Sequence, residues 1–457
     1  MMEDYSTRHR FEVRRIPFFE MDQWFFAQEP CRLVHYTGRF FAIEGLRITT
    51  NQGPVRQWDQ PIIQQPEIGI LGIVTRVVDG LRHFLMQAKM EPGNVNVLQL
   101  SPTVQATRSN YTRVHAGRLP PYLEYFLGSG RSRILVDQLQ SEQGARFLRK
   151  RNRNMVVEVD GDLPLHDGFC WLTLGQIKRF LRVENLVNMD ARTVLSCVPC
   201  VHPAWRYRLP AELRIAPDRI DVMGSRVEGF ARDLLLSWLD TPHPRHTRDE
   251  ILGWITETKT RCELSLERIS LDRLEGWIHG EREIRHRSGQ FFAVIAVDVE
   301  AGAREVVSWS QPLLEHFGCG LVGFLVQKLD ETLHFLVRAS LEPGNRDLIE
   351  LGPTVACANP DHRAGKPTAP AFLELFRNPA AERVRYQAVQ SEEGGRFYHF
   401  QNRYMILEWP AEEELDVPEG FLWMTLGQIA ELLRHGYFNI EARNLISCLD
   451  LGAASRG

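Results

Sequence analysis

Short runs of alternating hydrophobic and polar residues dominate the chain and predict many β-strands. Residues 68–74 (IGILGIV) and 81–88 (LRHFLMQA) are two such runs, and Asp79-Gly80 between them is a strong signal for a tight hairpin turn. Further strands are predicted at 38–43, 134–139 and 155–159. The chain is therefore expected to be rich in sheets.

Helical spacing of apolar residues occurs between these strands. It predicts helices at 121–126, 173–181 and 189–197, with Thr173 as a possible N-cap of the second. Strands with interspersed helices indicate the α+β fold class.

One unit is written twice along the chain. The stretch 140–147 (QSEQGARF) returns as 390–397 (QSEEGGRF), and Trp58-x-Gln-Pro returns as Trp309-x-Gln-Pro, 251 residues later. Four more pairs keep the same order: GRFFA from 38 with GQFFA from 289, EPGN from 91 and from 342, PTV from 102 and from 353, and WLTLGQI from 171 with WMTLGQI from 423. Such a period is far too long for a solenoid repeat, so each copy is expected to be a domain with its own core.

The repeat sets the expected domain boundaries. Residues 1–19 are polar and are expected to form an N-terminal arm, either partly mobile or wrapped around a second subunit. Residues 20–198 form the first repeat and residues 270–457 the second. Residues 199–269 are interpreted as a helical connector, because apolar residues have helical spacing at 224–240 and again from 249.

Composition limits the classes of function. The 457 residues are 44% hydrophobic and 25% charged, with a formal net charge of −4, so no general basic field is present to hold nucleic acid. An anionic ligand must then be met by local arginines. No long uncharged apolar run occurs, and we expect a soluble, cytoplasmic protein without a membrane span.

The eight cysteines do not indicate a metal site. They are widely scattered, as in a reduced cytosolic protein, and Cys197-x-x-Cys200 has no second ligand pair at matching spacing. No bound metal is expected.

The repeated motifs supply candidate substrate-binding residues. Trp58 and Trp309 could stack on a nucleobase, or they could cap their domain cores. The repeated Ser-Glu-x-Gly-x-Arg turn could hold a phosphate between backbone N–H groups and a guanidinium, or it could be a tight turn with its own ion pair. The candidates are Ser141, Gln143, Gly144, Ala145 and Arg146 in the first copy, Ser391, Glu392, Glu393, Gly394, Gly395 and Arg396 in the second, and Thr173.

The two copies differ most at residues 107–115. The second copy has no tyrosine there and its basic residues are shifted, so Tyr111, Arg113 and His115 of the first copy, together with Glu142, form the candidate catalytic set. A histidine has an ordinary pKa near neutrality and suits proton transfer, although a single loop histidine often has no such role. The first copy is therefore the expected catalytic half.

Several motifs of other enzyme classes are missing. The chain has no Gly-x-Gly-x-x-Gly after a strand, no Walker loop, no His-Glu-x-x-His and no Gly-x-Ser-x-Gly. Dinucleotide binding, NTP hydrolysis, zincin chemistry and α/β-hydrolase chemistry are accordingly not expected.

Nearly the whole chain resembles the NDP-hexose 2,3-dehydratase family of deoxysugar biosynthesis. The resemblance is carried by LSPTVQATRSNYTRVH at 100–115, PYLEYF at 121–126, LGPTV at 351–355 and QSEEGGRF at 390–397. It implies a homodimer of subunits with two tandem Nudix-like folds and nucleotide-sugar pockets in both halves, one of them catalytic. The Arg-Glu part of the Nudix motif is missing before Glu392, so metal-dependent diphosphate cleavage is not expected.

The resemblance also implies the reaction, which is that of a carbon–oxygen lyase. The usual substrate of the family is dTDP-4-keto-6-deoxy-D-glucose. Removal of the C3 proton, which is α to the ketone, and loss of the C2 hydroxyl give a dTDP-3,4-diketo-2,6-dideoxyhexose for antibiotic biosynthesis. This elimination needs no redox cofactor, and its unstable product requires a 3-ketoreductase as downstream partner.

Roles follow from this chemistry. Trp58 is assigned to the nucleotide, residues 141–146 to the diphosphate, Tyr111, His115 and Glu142 to acid–base catalysis, and Arg113 to the enolate or phosphates. Trp309 and residues 391–396 are assigned to the second pocket. Two other functions stay open, a non-catalytic nucleotide-sugar-binding protein and a diverged Nudix-type pyrophosphatase.

Overall fold

The computed structural model describes residues 2–107, 119–128, 130–198, 213–216, 219–222, 225–239, 244–302, 307–363, 366 and 368–450. Most of these residues lie in β-sheets, which short helices connect and cover. The predicted α+β class is confirmed. We call residues 20–198 the first half and residues 270–450 the second half.

The first half contains a seven-stranded mixed sheet. Its main path runs in the order Arg133–Ser141, Arg151–Glu158, Gly69–Val78, Leu81–Met90 and Phe169–Thr173. Two short strands pair beside this path, Leu98–Ser101 with Leu81–Met90 and Val104–Ala106 with Gly69–Val78. Arg151–Glu158 lies parallel to Gly69–Val78, and the other pairs are antiparallel. Asp79 and Gly80 have positive φ values of 50° and 77°, as a tight hairpin turn requires, which confirms the predicted hairpin.

The second half contains a seven-stranded sheet with the same strand order. Its path runs in the order Val384–Ser391, Gln401–Trp409, Cys319–Leu329, Thr332–Ser340 and Phe421–Thr425, with Glu350–Gly352 and Val355–Cys357 as side branches. Again the second and third strands of the path are parallel and the others antiparallel. The repetition in the sequence therefore has a counterpart in the topology.

Two smaller sheets exchange strands between the halves. Phe11–Ile16 pairs with Phe292–Ala301 of the second half, and Leu264–Ile269 pairs with Ala42–Thr50 of the first half. The sheet that contains Ala42–Thr50 also includes Trp24–Ala27, Arg32–His35 and Gln57–Gln64. The sheet that contains Phe292–Ala301 also includes Trp277–His279, Glu283–His286, Ser308–His316 and Phe397–Tyr398. The exchange corrects two expectations, since residues 11–16 belong to a sheet rather than to an arm and the connector ends in a strand.

The rest of the connector contains the predicted helices. The helices of the whole described part are Met2–Arg8, Leu174–Phe180, Met189–Ser196, Gly229–Trp238, Arg248–Thr260, Pro360–Arg363, Leu373–Arg377, Leu426–Leu433 and Ile440–Ser447. Short 3₁₀ helices lie at Phe18–Glu20, Leu123–Phe126, Leu271–Arg273 and Ala381–Arg383, and a three-stranded sheet is formed by Leu213–Ala216, Arg219–Val222 and Ser225–Val227. None of the helices within the described ranges combines the length and the apolar character needed to cross a membrane.

One strand prediction was wrong about where the strand begins. The strand predicted at 38–43 begins only at Ala42, because Gly38 has a φ of +63° and lies in the turn that precedes it. Trp58 lies within the strand Gln57–Gln64, which also contains Pro61. This strand pairs with Ala42–Thr50 and keeps its hydrogen bonds there.

One hydrophobic core extends through both halves and includes the helices Met189–Ser196 and Ile440–Ser447. Each helix carries a fully buried arginine that reaches across. Arg192 donates to the backbone oxygen of Ser391 at 2.7 Å, and Arg443 donates to the backbone oxygen of Ser141. In each half, a strand leads into the Ser-Glu-x-Gly turn, and the last residue of that strand is held by an arginine of the other half.

Glycine contacts repeat this reciprocal arrangement. The backbone N–H of Gly93 donates to Gly394 O at 2.8 Å, and that of Gly344 donates to Gly144 O at 2.7 Å. We call this pair of contacts the interlock. In each contact, the Glu-Pro-Gly-Asn motif of one half meets the Ser-Glu-x-Gly motif of the other half. This accounts for the presence of both motifs in both halves.

Candidate active site

A cavity of about 870 Å³ lies between the large sheet of the first half and a turn of the second half. Its volume is within the usual range of small-molecule sites. The residues around it that carry charge are Asp22, Glu67, Lys89, Glu91, Lys150, Asp167, Asp190, Glu393 and Arg396. Aromatic rings line it as well, namely Tyr5, Trp24, His35, Phe40, Phe41, His166, Phe169 and Trp309.

Three of the carboxylates that line this cavity come from different parts of the chain. Glu91 follows the strand Leu81–Met90, Asp190 lies in the first turn of a helix that Asn188 caps, and Glu393 lies in the turn of the second half. Burial raises the pKa of Asp190 well above its ordinary value, and the charges of Glu393, Glu142 and Glu91 add to the effect. Burial likewise raises the pKa of Glu393. Such groups can hold or accept a proton near neutral pH.

Gln105 connects two of the carboxylates. Its side-chain N–H group donates to Glu91 Oε1 at 3.1 Å and also to Asp190 Oδ2. Its oxygen accepts from Lys89 Nζ at 2.5 Å and from Ser101 Oγ at 2.9 Å. Gln105 therefore fixes the orientation of Glu91, Asp190 and Lys89 along one wall.

Lys150 forms the other cationic wall. Its ammonium donates to the backbone oxygen of Glu67, and only 5% of the residue is exposed. Burial lowers the pKa of Lys150, while the charges of Glu142 and Glu393 oppose that shift. A buried ammonium at a cavity wall can give up its proton more readily than a surface lysine.

Glu142 lies behind this wall rather than on it. Its Oε1 accepts from Asn152 Nδ2 at 2.5 Å, and Asn152 itself lines the cavity. Burial raises the pKa of Glu142 to about 8, with a further contribution from Glu393. Of the predicted catalytic residues, Tyr111, Arg113 and His115 lie outside the described residues.

The turn of the second half is anchored by the repeated Trp-x-Gln motif. Trp309 Nε1 donates to Gln311 Oε1 at 2.8 Å, and Gln311 Nε2 donates to Gly395 O at 2.9 Å. Arg396 uses three of its five N–H bonds on Gly395 O and Gln65 Oε1, and its guanidinium lies 4.2 Å from the ring centre of Phe41. Two N–H bonds remain for an anionic ligand.

The structure brings only some of the predicted substrate-binding residues together. Trp309, Glu393, Gly395 and Arg396 line the described cavity, although the sequence assigned them to a pocket of the second half. That assignment was wrong because the interlock places the turn of each half against the opposite half.

The matching turn of the first half contacts the second half instead. Ser141 Oγ donates to Glu350 at 2.6 Å, Gln143 donates to Glu392 at 2.8 Å, and Ala145 N donates to Glu342 at 3.1 Å. A Cβ at Gly144 would lie 2.0 Å from Asn345 Oδ1, so this glycine permits contact with Asn345 and not with a phosphate. The assignment of residues 141–146 to the diphosphate of the described cavity is therefore corrected.

Two other candidates have structural partners. Trp58 packs with Leu46, Ile48, Ile62 and Leu148, and its N–H donates to Gln60 at 2.9 Å. Thr173 caps the helix Leu174–Phe180 in a capping box with Gln176. Neither residue is part of the cavity wall. The position of Trp58 therefore fits the interpretation as a residue that caps its domain core better than the interpretation as a residue that stacks on a nucleobase.

In the second half, the positions that match Gln65 and Lys150 hold two stacked aromatic rings. Phe400 stands at the position that matches Lys150, and its ring stacks on His316 at 3.7 Å between centroids. His316, which matches Gln65, accepts from Arg146 Nε at 3.0 Å. Burial lowers the pKa of His316 well below its ordinary value and that of Arg146 to about 10.

Several residues of the cavity were missed by the sequence analysis. At the positions that match Lys89, Gln105 and Lys150, the second copy has Ser340, Ala356 and Phe400. A comparison of the two copies for polar residues that only one keeps would have found all three. No group of three or more His, Cys, Asp or Glu side chains in the described part is arranged to hold a metal ion.

Comparisons of the sequence with a family model and with curated proteins give the same family. A family model described as NDP-hexose 2,3-dehydratase matches residues 1–198 and again residues 248–449. Three curated proteins are similar over nearly the full chain, and each is named dTDP-4-dehydro-6-deoxy-alpha-D-glucopyranose 2,3-dehydratase.

The similarity to these proteins is substantial. The protein of Saccharopolyspora spinosa is 48% identical over 98% of this chain and 90% of its own length. Those of Amycolatopsis orientalis and Streptomyces violaceoruber are 44% and 42% identical over 97% of this chain, and over 88% and 94% of their own lengths. A crystal structure of an ADP compounds hydrolase is 19% identical, covering 34% of this chain and 81% of that one, with a TM-score of 0.23 that is too low to argue a shared fold.

Proposed function

We propose that this chain, which belongs to the NDP-hexose 2,3-dehydratase family, removes water across C2 and C3 of dTDP-4-dehydro-6-deoxy-glucose in the described cavity. The observation that carries the proposal is that three carboxylates, those of Glu91, Asp190 and Glu393, and two ammonium groups, those of Lys89 and Lys150, meet around one cavity. The names of the three similar proteins supply the substrate.

The reaction requires a base, an oxyanion donor and an acid. The C3–H bond is broken by the base, and its electron pair forms the C3–C4 double bond of an enolate with the charge on the C4 oxygen. The C2–O bond then breaks, and the departing hydroxide takes up a proton to leave as water. The enol product rearranges to the 3,4-diketo-2,6-dideoxy sugar.

The cavity contains groups that match these needs. Carboxylates with raised pKa values can accept the C3 proton near neutral pH, and Asp190 and Glu393 are such groups. Lys89 and Lys150 can stabilise the enolate oxygen and protonate the hydroxide. Glu142, the predicted acid–base residue, is proposed to act through Lys150, because its ionised form favours the charged form of the lysine.

The nucleotide is proposed to bind at the aromatic part of the cavity. Trp309, Phe40 and Phe41 offer ring faces for the base or the deoxyribose, and Arg396 keeps two N–H bonds for the diphosphate. Thr107 and Leu119 line the cavity on either side of residues 108–118. This supports the retained proposal that Tyr111, Arg113 and His115 contribute to the same site.

We also propose that the two halves are Nudix-like units derived from an internal duplication. The family model matches the chain twice, and the two large sheets share their strand order and their single parallel pair. Divergence at positions 89, 105 and 150 then confines the proposed reaction to the first half.

The experiment is an assay of the purified chain with dTDP-4-dehydro-6-deoxy-glucose. We expect loss of the C2 hydroxyl, detected by mass spectrometry after a 3-ketoreductase and its nicotinamide cofactor have trapped the unstable product. Binding of the dTDP-sugar without any change in its mass would show a nucleotide-sugar-binding protein instead. Release of dTMP with Mg²⁺ would show a pyrophosphatase.

A further inference from the structure

We propose that Glu393, which the second half supplies to the cavity of the first half, is the base that removes the C3 proton. This inference rests on the proposed function and selects one carboxylate from the group formed by Glu91, Asp190 and Glu393. It makes the dehydratase site a composite of both halves, in which the proton acceptor and most of the cavity wall come from opposite ends of the chain.

The backbone around Glu393 is held on both sides. Its carbonyl oxygen accepts from Arg396 N at 3.1 Å and from Phe397 N at 2.9 Å, while Gly394 O accepts from Gly93 N at 2.8 Å. A Cβ at Gly395 would lie 3.5 Å from Glu393 Oε1 and 3.9 Å from Glu91 Oε1. The Glu393 carboxylate is therefore placed close to the other acidic groups by a rigid turn.

Hydrogen bonding separates Glu393 from the other two carboxylates. Glu91 and Asp190 both accept from Gln105 and are oriented by it. Glu393 accepts no side-chain hydrogen bond from the part of the chain that the structure describes, and it is partly exposed at the cavity wall. A carboxylate in this position has its oxygens available to an incoming C–H group.

The neighbouring Glu392 has the opposite character. Its oxygens accept from Asn402 and Tyr404 at 2.7 Å each and from Gln143 at 2.8 Å. It is 2% exposed and is not part of the cavity wall. Two adjacent glutamates of one motif thus have separate roles, one in holding the halves together and one at the cavity.

The first copy of the motif differs at the decisive position. Gln143 stands where the second copy has Glu393. A glutamine amide cannot accept the C3 proton, and the side chain of Gln143 instead donates to Glu392. The difference gives a base to only one of the two matched turns.

The proton transfers balance as follows. The C3 proton moves to the Glu393 carboxylate, and the electron pair of the C3–H bond passes into the enolate. The C2–O bond breaks, and the hydroxide takes a proton from the Lys150 ammonium to form water. The carboxyl proton of Glu393 then passes to the Lys150 amine, which returns both groups to their starting forms. The two groups are close enough for the charge of Glu393 to affect the pKa of Lys150.

The test is the full-length Glu393→Gln variant. We expect kcat to fall by about 10²- to 10⁴-fold with little change in KM, because general-base catalysis contributes that much and the amide keeps the size of the side chain. Exchange of the C3 proton of the substrate in D₂O should be lost to the same extent. Thermal stabilisation by dTDP should remain.

Glu392→Gln is the matched control. It should lower the melting temperature while the folded protein keeps its kcat, since Glu392 contacts other residues of the protein and not the cavity. If Glu393→Gln does not fold, Glu393→Asp decides the matter, because a shorter carboxylate should reduce kcat without raising KM.

The outcomes separate the two proposals. A wild-type chain that does not dehydrate the sugar contradicts the proposed function itself. A wild-type chain that dehydrates it, together with unchanged kcat and C3 exchange in the Glu393 variants, overturns only the role of Glu393.

Discussion

Lys150→Met should reduce kcat by about 10²- to 10⁴-fold while the protein stays folded and still binds dTDP. Methionine has nearly the length of the lysine stem but has no ammonium. The variant therefore removes the group that we assign to the enolate oxygen and the departing hydroxide. The second copy already has an uncharged residue, Phe400, at the matched position.

Lys178→Met provides the control for this prediction. Lys178 is also 5% exposed, and its ammonium also donates to a backbone oxygen, that of Ser447. It lies outside the cavity wall. Both variants remove a buried ammonium and should lose stability, but only Lys150→Met should lose kcat. Equal kcat values in the two variants would remove Lys150 from the mechanism.

The pH dependence of the wild type should show the same lysine. Burial lowers the pKa of Lys150, so its acid form is lost at a lower pH than that of a free lysine. We expect kcat to fall as the pH rises through this lowered pKa. On the acidic side, the raised pKa of Glu393 should move the rise of kcat to a higher pH than a free glutamate would give.

Gly93→Ala should lower the free energy of unfolding by about 3 to 5 kcal/mol. A Cβ at Gly93 would lie 1.6 Å from Phe397 O and 2.8 Å from Gly394 O. Both atoms belong to the backbone, and the same turn is anchored by Gln311, so a local shift cannot relieve the contact. The halves must separate at the interlock, which displaces Glu393 as well.

Gly344→Ala and Gly175→Ala are the matched variants, measured together with Gly93→Ala by urea unfolding and by kcat. A Cβ at Gly344 would lie 1.9 Å from Phe147 O, so a similar loss of stability is expected on the side of the interlock that does not hold Glu393. No atom lies within 4 Å of a Cβ at Gly175, a helical position where alanine should be neutral or slightly stabilising. A Gly93→Ala variant as stable as Gly175→Ala would contradict the interlock.

Local features of the fold could be predicted from the sequence. The hairpin at Asp79-Gly80 and the N-cap at Thr173 depend on a few adjacent residues, so the sequence predicts both, and the structure adds that the N-cap is part of a capping box with Gln176. The strand exchange could not be predicted in this way. The pattern of Phe11–Ile16 shows that it is a strand, but nothing in it specifies Phe292–Ala301 as its partner.

The candidate site was predictable only in part. The repeated motifs correctly marked important turns, but the sequence does not show that each turn faces the opposite half, because that depends on the packing of Arg192 and Arg443 between them. Lys150 lies outside the repeated motifs and outside residues 107–115, where the two copies differ most, so no local pattern marks it. The signal for it is its replacement by Phe400 in the second copy.

The central claim is that the sugar reacts in the cavity of the first half beside a carboxylate from the second half. The most direct test is a crystal structure of the chain with an unreactive analogue of dTDP-4-dehydro-6-deoxy-glucose. We predict that C3 of the sugar lies within about 4 Å of a Glu393 carboxylate oxygen, with the C4 oxygen facing Lys150 or Lys89. A sugar ring bound outside this cavity, with C3 remote from Glu393, would contradict the account.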